Sequence, residues 1–358
     1  MRVLVDILHP AHVHVFGALA SEFARRGHEV RFTLREKECA RDLLDERGLV
    51  YETLSQQKHG AGLASEFVER SARMWRVIGD FRPHFLAGIM GPSITTVGRL
   101  RRLLARDRAR IAVFYDTEIA KLTNSVVYPL ADYVCTPDCY QGPVHGNHIT
   151  YPGYHELAYL HPNRFTPDPE VVRRAGIDPT SRYLVVRFVS YKASHDLGTA
   201  GLRDEQKIHL VRSLAPHGTV YVSSEGTLPR ELEPNRLKIK VSDIHHVIAH
   251  ARLLAGESAT MASEAAVLGV PAIYVSPLGR GYTDDEEARY QLVTNFTGAR
   301  FHDDFTAVAV KLASDPDGPR RAAEARARLL REKTDVTAWI AEFFEREFAL
   351  HFKNGAGA

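Results

Sequence analysis

The stretch LLAGESATMASEAAVLG (residues 253–269) places small and polar residues where an apolar run ends. Gly256, Ser258 and Thr260 follow the run, and Glu264 comes about one and a half helical turns after Ser258. Ser258 can cap a helix and leave its first backbone N–H groups pointing out of the positive end, where such groups bind phosphate. We therefore predict a diphosphate site at this turn, with Glu264 accepting hydrogen bonds from a ribose. A solvated helix carboxylate is the alternative for Glu264.

A second group of polar residues suits the same diphosphate. In VVRFVSYKASHD (residues 185–196), Arg187 ends an apolar run, and Lys192 and His195 follow in a polar loop. Cationic side chains with several N–H donors hold phosphate oxygens well. Ser224 ends the next apolar run, TVYVSS, and adds a hydroxyl group. A surface salt bridge is an equally good role for Lys192 and a poorer one for Arg187.

Histidines and acids at two other positions could transfer protons. In LHPAHVHVF, His12 and His14 open a helix-like stretch. A helix N-terminus lowers the pKa of a histidine, which keeps the imidazole neutral and able to act as a base near pH 7. In FYDTEIAKL, Asp116 and Glu118 lie at a strand end before a helix-like stretch. They would act as a base or orient a histidine. The alternatives are hydrogen bonds to nearby backbone for the histidines and helix capping for the acids.

The cysteines and the paired histidines do not make a metal site. Cys135 and Cys139 lack a second pair of ligands. His246 and His250 are four residues apart, but a third ligand and the glutamate of a zinc-protease motif are missing. We therefore predict no metal ion.

Composition and charge narrow the class of protein. The 358 residues include 46 Lys and Arg against 44 Asp and Glu, so no excess of positive charge points to a nucleic-acid partner. Three cysteines are too few for a disulfide framework and fit a reducing compartment. Asp6 interrupts the first apolar run, unlike in a signal peptide, and no stretch approaches the roughly 20 apolar residues of a membrane span. We predict a cytoplasmic protein.

The candidate residues need a framework that brings strand ends together, and the pattern of the chain predicts one. Apolar runs typical of buried strands alternate with amphipathic stretches up to about residue 137 and again from about residue 180. The segment between them is rich in Pro, Gly, His and Asn. This alternation predicts an α/β protein with two doubly wound parallel sheets, in which ligands bind beyond the carboxyl ends of the strands.

Several stretches resemble proteins that handle nucleotide sugars. GESATMASEAAVLGVPAI resembles the nucleotide-sugar loop of glycosyltransferases with the GT-B fold, among them the peptidoglycan enzymes that add N-acetylglucosamine to lipid I. It is also similar to the loop of the non-hydrolysing UDP-N-acetylglucosamine 2-epimerases. The resemblance implies that the helix N-terminus holds the diphosphate and Glu264 the ribose. SDIHHVIAHA looks like the segment whose backbone contacts the base, which implies Ile244, and HPAHVHVFGALASEFARRGHEVRF implies that His14 lies beside the sugar.

A resemblance to a more specific family extends over most of the chain. DILHPAHVHVF, FYDTEIA, YPGYHELAYLHPNRFTPD and GESATMASEAAVLGVPAI together resemble a bacterial and archaeal family, domain-of-unknown-function family 354, which is related to the GT-B proteins. The resemblance implies a GT-B fold, with two Rossmann-like domains facing a central cleft.

The predicted domains follow from the break in the pattern and from the resemblance. An N-terminal Rossmann-like domain with the acceptor and catalytic groups is predicted at 1–155, followed by a linker at 156–180. A C-terminal Rossmann-like domain that binds the nucleotide sugar is predicted at 181–332. A bridging or capping helix at 333–352 and a disordered tail at 353–358 complete the chain.

Together these observations predict a metal-independent GT-B glycosyltransferase that moves a sugar from a nucleotide diphosphate, UDP in our interpretation, to an unidentified acceptor. No cofactor is predicted, because the nucleotide sugar is the substrate. The predicted catalytic residues are His14, His12, Asp116 and Glu118. The predicted nucleotide-sugar-binding residues are Arg187, Lys192, His195, Ser224, Ile244, Gly256, Ser258, Ala259, Thr260 and Glu264. The alternatives are an enzyme like the 2-epimerases and a non-catalytic nucleotide-sugar-binding protein.

The sequence leaves the acceptor and the oligomeric state open. A glycan or a lipid-linked acceptor would fit, and a lipid-linked one implies peripheral contact with a membrane and an apolar patch on the first domain. The helical stretch LASEFVERSARMWRVIGDF is a candidate for that patch through Phe67, Met74, Trp75 and Ile78. The alternative, which its helical spacing favours, is that these side chains lie in the core.

Overall fold

The computed structural model describes residues 1–58, 60, 62–118, 121–189 and 201–353. The chain divides into two compact units. Unit 1 comprises Met1–Tyr159 and Thr334–Ala358, and unit 2 comprises Leu160–Lys333. The segment predicted as a linker therefore contributes residues to both units, and the C-terminal helix predicted to bridge or cap belongs to unit 1.

Strands and helices alternate along most of the chain. The strands are β1 (Arg2–Ile7), β2 (Glu29–Glu36), β3 (Tyr51–Gln56), β4 (Phe85–Ile89), β5 (Arg110–Phe114), β6 (Tyr133–Pro137), β7 (His148–Tyr151), β8 (Tyr183–Phe188), β9 (Thr219–Ser224), β10 (Leu254–Gly256), β11 (Ala272–Ser276) and β12 (Val293–Thr297). The helices are α1 (Pro10–Arg25), α2 (Ala40–Glu46), α3 (Gly62–Phe81), α4 (Pro92–Leu104), α5 (Lys121–Val127), α6 (Leu157–Leu160), α7 (Pro169–Arg174), α8 (Asp204–Leu214), α9 (Ile244–Ala249), α10 (Ala259–Leu268), α11 (Gly281–Asp285), α12 (Phe305–Ser314), α13 (Gly318–Glu332) and α14 (Val336–Phe348).

Unit 1 is built on a seven-stranded sheet in the order β3-β2-β1-β4-β5-β6-β7. Every neighbouring pair of its strands is parallel. The central strand β1 reads RVLVDI, and its apolar side chains are buried on both faces, as in sheets covered by helices on each side. Unit 2 repeats this plan with five parallel strands in the order β12-β11-β10-β8-β9. The predicted class, two doubly wound parallel sheets, is therefore confirmed.

Two edge strands lack the apolar run by which the sequence predicts buried strands. β7 ends the first sheet and β12 ends the second. β7 reads HITY and buries only its last residue, while β12 reads VTNFT with an asparagine in its centre. An edge strand has a single neighbour and needs no continuous apolar run, so the pattern that identifies central strands is absent.

The long helix α3 packs its apolar stripe against the sheet. Met74 and Ile78 are buried, Trp75 is half-buried, and Phe67 is exposed. The interpretation that these side chains belong to the core is thus confirmed for Met74 and Ile78. It is wrong for Phe67, which lies on the outer surface of the N-terminal half of the helix.

A buried charge network joins α3 to three strands of the first sheet. The guanidinium of Arg70 on α3 donates to Asp6 Oδ1 on β1 and, over 3.3 Å, to Ser55 Oγ on β3. Thr33 Oγ1 on β2 donates to the same oxygen of Asp6 over 2.6 Å. All four side chains are buried. The carboxylate and the guanidinium therefore stabilise each other away from water and hold the helix at a fixed position on the sheet.

Removing the buried cation should destabilise unit 1. Arg70→Ala leaves the buried Asp6 carboxylate without its charge partner, and we expect a loss of about 3–5 kcal/mol in the free energy of unfolding, measured by urea denaturation. Arg76, exposed on the same helix, is the matched control, and Arg76→Ala should change stability by less than about 0.5 kcal/mol. Equal effects of the two substitutions would contradict this role of the network.

Candidate functional site

The carboxyl edge of the first sheet carries an aspartate and a histidine in direct contact. Asp116 lies two residues beyond β5, and His155 lies four residues beyond β7. His155 Nδ1 is 3.0 Å from Asp116 Oδ2, and Thr117 Oγ1 donates to Asp116 Oδ1 over 2.9 Å. The side chain of His155 is 4% exposed and that of Asp116 is 21% exposed. The pair is thus nearly enclosed, with limited access on the aspartate side.

Each member of this pair favours the charged form of the other. Burial raises the pKa of Asp116, but the charge and hydrogen bond of His155 outweigh burial and lower that pKa to about 2. Burial lowers the pKa of His155, whereas Asp116, followed by Glu156, raises it, and the net direction is upward. Asp116 is therefore ionised at neutral pH, and its carboxylate holds a proton on the facing nitrogen of His155.

The histidines at the start of α1 are held by local donors. His9 caps α1 by accepting from the Ala11 N–H at 3.2 Å, and His12 Nδ1 accepts from the Leu8 N–H at 3.3 Å. Burial and then the nearby His9 lower the pKa of His12 well below its usual value, so its ring is neutral at pH 7. The backbone contacts predicted as the alternative role of these histidines are confirmed for His12.

His14 lies two residues after His12 on α1 and has different neighbours. An Arg47 guanidinium nitrogen donates to His14 Nδ1 over 2.9 Å, and the ring of Tyr159 lies 5.1 Å away between centroids. Glu118, the fourth residue predicted to be catalytic, accepts from the backbone N–H of Gln141 over 3.2 Å. The proton-transfer roles predicted for His14 and Glu118 stay predictions.

Sequence reasoning missed His155. The residue is part of YPGYHELAYL, which carried the family resemblance, but no local pattern marked it as chemically active. The signal that could have found it is β7, because a polar residue just after a parallel strand lies at the ligand-binding edge. The weak apolar pattern of this edge strand concealed that position.

In unit 2, α10 begins at the carboxyl end of the short strand β10. Ser258 is its N-cap, with Oγ accepting from the Met261 N–H at 3.3 Å, as predicted. The N–H groups of Ala259 and Thr260, at the start of the helix, have no intrahelical acceptor in such geometry. Gly256 has φ of 150°, and a Cβ atom there would lie 2.0 Å from the Arg187 carbonyl oxygen. Only glycine lets β10 approach β8 this closely, which accounts for the small residue at the turn.

Glu264 is buried on α10 against a histidine from the preceding helix. Its Oε1 lies 2.9 Å from His245 Nε2, and each side chain is 6% exposed. The alternative interpretation of Glu264 as a solvated carboxylate is therefore wrong. Ile244, predicted to contact the base, is the first residue of α9 and immediately precedes His245. The pair thus connects the segment predicted to bind the base with the helix predicted to bind the ribose.

Arg187 near the end of β8 already has partners within unit 2. Its guanidinium donates to Ser223 Oγ over 2.8 Å and to a carboxylate oxygen of Glu225. Ser224 shares hydrogen bonds with the backbone of Gly226. A phosphate that binds Arg187 must therefore compete with Glu225. Lys192 and His195 lie outside the described residues.

Glu257 is a second residue that sequence reasoning missed. It follows Gly256 directly, is buried, and accepts from the Leu202 N–H over 2.6 Å and from the Val189 N–H over 3.3 Å. Burial raises the pKa of its carboxyl group. Glu257 therefore ties two separate chain segments to the turn at which α10 begins.

The described ranges contain neither a group of metal ligands nor a membrane-spanning helix. In residues 1–58, 60, 62–118, 121–189 and 201–353, no group of three or more His, Cys, Asp or Glu side chains is placed to hold a metal ion. Within the same ranges, no helix is both long and apolar enough to cross a bilayer.

Comparison with known proteins identifies the fold. No protein-family model matches the sequence, and neither does any curated protein. The complex of S. aureus MnaA with UDP is similar over 98% of this chain and 97% of its own, with a TM-score of 0.65 at 11% identity. Spinosyn forosaminyltransferase SpnP matches over 98% and 99%, with a TM-score of 0.62 at 15% identity. A UDP-N-acetylglucosamine 2-epimerase matches over 92% and 94%, with a TM-score of 0.61 at 12% identity. The chain has the GT-B fold, and identities this low establish the fold alone.

The Asp116–His155 pair predicts a specific dependence of stability on pH. The lowered pKa of Asp116 stabilises the fold above its unfolded value of about 3.9, and this contribution is lost as pH falls through about 2. The raised pKa of His155 stabilises the fold below about 6.5, and this contribution is lost as pH rises through the folded pKa. The pair therefore contributes most between roughly pH 4 and 6.5.

Asp116→Asn should remove both contributions. Relative to the wild type, we expect the free energy of unfolding to fall by about 2 kcal/mol inside that pH window and by less on either side of it. The measurement is urea unfolding at a series of pH values. The exposed Asp80 provides the control, since Asp80→Asn should show no such window. A loss for Asp116→Asn that is constant from pH 3 to 9 would show that the two residues do not form an ion pair.

Proposed function

We propose that this protein is a glycosyltransferase that takes a sugar from a UDP-linked donor and transfers it to an acceptor, without a metal ion. The observation that carries the proposal is the start of α10, where the capped helix end and the buried Glu264–His245 pair occur together at the carboxyl edge of the second sheet. Proteins of the same fold bind UDP, as in the MnaA complex, and transfer sugars, as the name of SpnP states. Membership of domain-of-unknown-function family 354 is part of the same proposal.

The donor would be held by groups of unit 2. The N–H groups of Ala259 and Thr260 and the hydroxyl of Ser258 surround the positive end of α10, which suits the diphosphate. Glu264 would accept from the ribose hydroxyls while His245 keeps its carboxylate in place. The backbone of Ile244 would contact the uracil ring. Lys192 and His195 are proposed as further diphosphate contacts on the strength of the sequence.

Arg187 would bind the diphosphate only after its hydrogen bond to Glu225 is broken. Its guanidinium pairs with Glu225, and two phosphate groups carry more negative charge than one carboxylate. A diphosphate can therefore replace Glu225 on Arg187 while Ser223 remains bound. As the bond between the sugar and the diphosphate breaks, this cation and the N–H groups of α10 would stabilise the charge that develops on UDP. In the proposed reaction they replace the metal ion used by other transferases.

The acceptor is proposed to be a glycan or a lipid-linked sugar that unit 1 binds. The outer surface of α4 supports the lipid-linked case, because Leu100, Leu103 and Leu104 are exposed there and form an apolar strip. Such a strip suits peripheral contact with a membrane surface.

A 2-epimerase acting on the same donor is the second candidate, and a match to an enzyme of that name favours it. The histidines and Asp116 would then remove and return the proton at C2 of the sugar. Incubation with UDP-N-acetylglucosamine alone in deuterated water separates the two candidates. Deuterium at C2 without any acceptor would establish the epimerase, and we expect none.

Nucleotide binding tests the proposed donor site. We expect UDP, but not GDP, CDP, dTDP or ADP, to stabilise the wild type, by about 2.7 kcal/mol at a concentration 100 times Kd. Glu264→Gln should weaken the binding of UDP about tenfold, because a neutral amide holds the ribose hydroxyls less well. The measurement is the shift in melting temperature with and without nucleotide, which corrects for any change in the stability of the free variant.

The exposed Glu231 of the same unit supplies the control, and Glu231→Gln should bind UDP like the wild type. If none of the five nucleotides stabilises the protein at millimolar concentration, the proposed donor site is ruled out. The second alternative, a non-catalytic nucleotide-sugar-binding protein, predicts that UDP binds but that UDP-sugars are never consumed.

A further inference from the structure

Within the described residues, His9, His12, His14 and His155 lie at the carboxyl edge of the first sheet, and their hydrogen bonds decide which can take up a proton. A neutral imidazole carries one N–H and one bare nitrogen, and only the bare nitrogen can act as a base. The partner of one ring nitrogen therefore determines the function of the other.

In His9, His12 and His14, at the start of α1, Nδ1 is the bare nitrogen. His9 and His12 each receive a backbone N–H at this atom, and His14 receives a guanidinium N–H from Arg47. A backbone N–H and a guanidinium only donate hydrogen bonds, so Nδ1 must accept. Each neutral ring then carries its proton on Nε2, and its bare Nδ1 is occupied by the hydrogen bond that it accepts.

His155 has the opposite arrangement. Its Nδ1 faces the ionised carboxylate of Asp116 at 3.0 Å, and a carboxylate only accepts. Nδ1 must therefore carry the proton, which leaves Nε2 bare in the neutral ring. The ring is parallel to that of Tyr151 to within 12°, with 6.3 Å between the ring centroids. Asp116 and Tyr151 together fix the orientation of the imidazole.

The bare nitrogen of His155 is buried and has no hydrogen-bond partner within the described part of the chain. The hydroxyl oxygen of Tyr151 is in the same condition. Buried polar atoms are nearly always satisfied in native proteins, and those that are not mark sites where a ligand or water belongs. Two such atoms on neighbouring parallel rings point to a place where a hydroxyl group of a substrate would be bound.

Resting on the proposed function, we propose that His155 is the base that deprotonates the acceptor hydroxyl. In this step the acceptor O–H bond breaks and its proton moves to His155 Nε2. The acceptor oxygen forms a bond to C1 of the sugar. The bond from C1 to the diphosphate oxygen breaks, and UDP leaves with the electron pair. Asp116 keeps its hydrogen bond to Nδ1 and stabilises the imidazolium that forms.

The charged and titratable groups around His155 support this assignment. Asp116 and Glu156 raise its pKa, and the nearby His12 is neutral and adds no charge. The activity should therefore rise with pH as His155 loses its proton, with a midpoint above the usual histidine value of about 6.5. Asp116→Asn removes the carboxylate, so the midpoint should move to lower pH and the rate should also fall, because the tautomer is no longer fixed.

The protonation of the ring nitrogens can be measured without any substrate. Long-range ¹H–¹⁵N spectra of the full chain with ¹⁵N-labelled histidine show which nitrogen carries the proton, and the signal lost in His155→Gln identifies His155. We expect a protonated Nδ1 and a bare Nε2 for neutral His155, and the reverse for His12. A protonated Nε2 in neutral His155 would overturn the inference.

The catalytic part is tested by the release of UDP from UDP-glucose, UDP-galactose and UDP-N-acetylglucosamine, with water as the acceptor. We expect His155→Gln to bind UDP like the wild type and to release it at least 100-fold more slowly. His148→Gln, an exposed histidine on β7, is the control and should match the wild type.

The outcomes separate this inference from the proposed function. A wild type that binds no UDP would refute the proposed function and the inference with it. A wild type and a His155→Gln variant that release UDP at the same rate would refute the inference alone. If His155→Gln does not fold, Asp116→Asn decides: an unchanged pH midpoint would overturn the inference, and a lower one would support it.

Discussion

Both sheets are parallel throughout, so the carboxyl ends of their strands meet at one edge of each sheet. The loops that follow these strands carry polar side chains of both candidate sites. Asp116 and His155 follow two strands of the first sheet, and Glu257 follows one of the second. Residues far apart in the sequence become neighbours through this constraint, and the proposed chemistry depends on it.

Several buried side chains form hydrogen-bonded pairs, and the pairs differ in what they leave accessible. Asp6 and Arg70 are enclosed on all sides and join a helix to a sheet. His245 and Glu264 join two helices beside the proposed donor site. Asp116 is partly exposed next to an enclosed histidine, and the proposed proton acceptor uses this arrangement: the carboxylate fixes the ring, and one ring nitrogen lacks a protein partner among the described residues. Burial thus fixes a helix on a sheet in the first case and, in our proposal, supports chemistry in the last.

The sequence predicts features set by local pattern and does not predict those set by tertiary contact. The apolar runs indicate the central strands, and Ser258 indicates its own helix cap, since each depends on residues adjacent in the chain. The pairing of Glu264 with His245 has no local signal in the sequence. The burial of these two side chains is therefore evident only from the structure. His155 lies after an edge strand whose short, mixed sequence resembles a loop, and its partner lies beyond a different strand. The tautomers of His12 and His14 depend on individual hydrogen bonds, which composition and spacing do not encode.

The central claim is that unit 2 binds UDP through backbone N–H groups and side chains, without a metal ion. Titration calorimetry of the wild-type chain with UDP in the presence of excess EDTA tests it most directly. The account predicts binding at one site per chain that is unchanged when magnesium is restored. Absence of binding, or binding that requires magnesium, would contradict it.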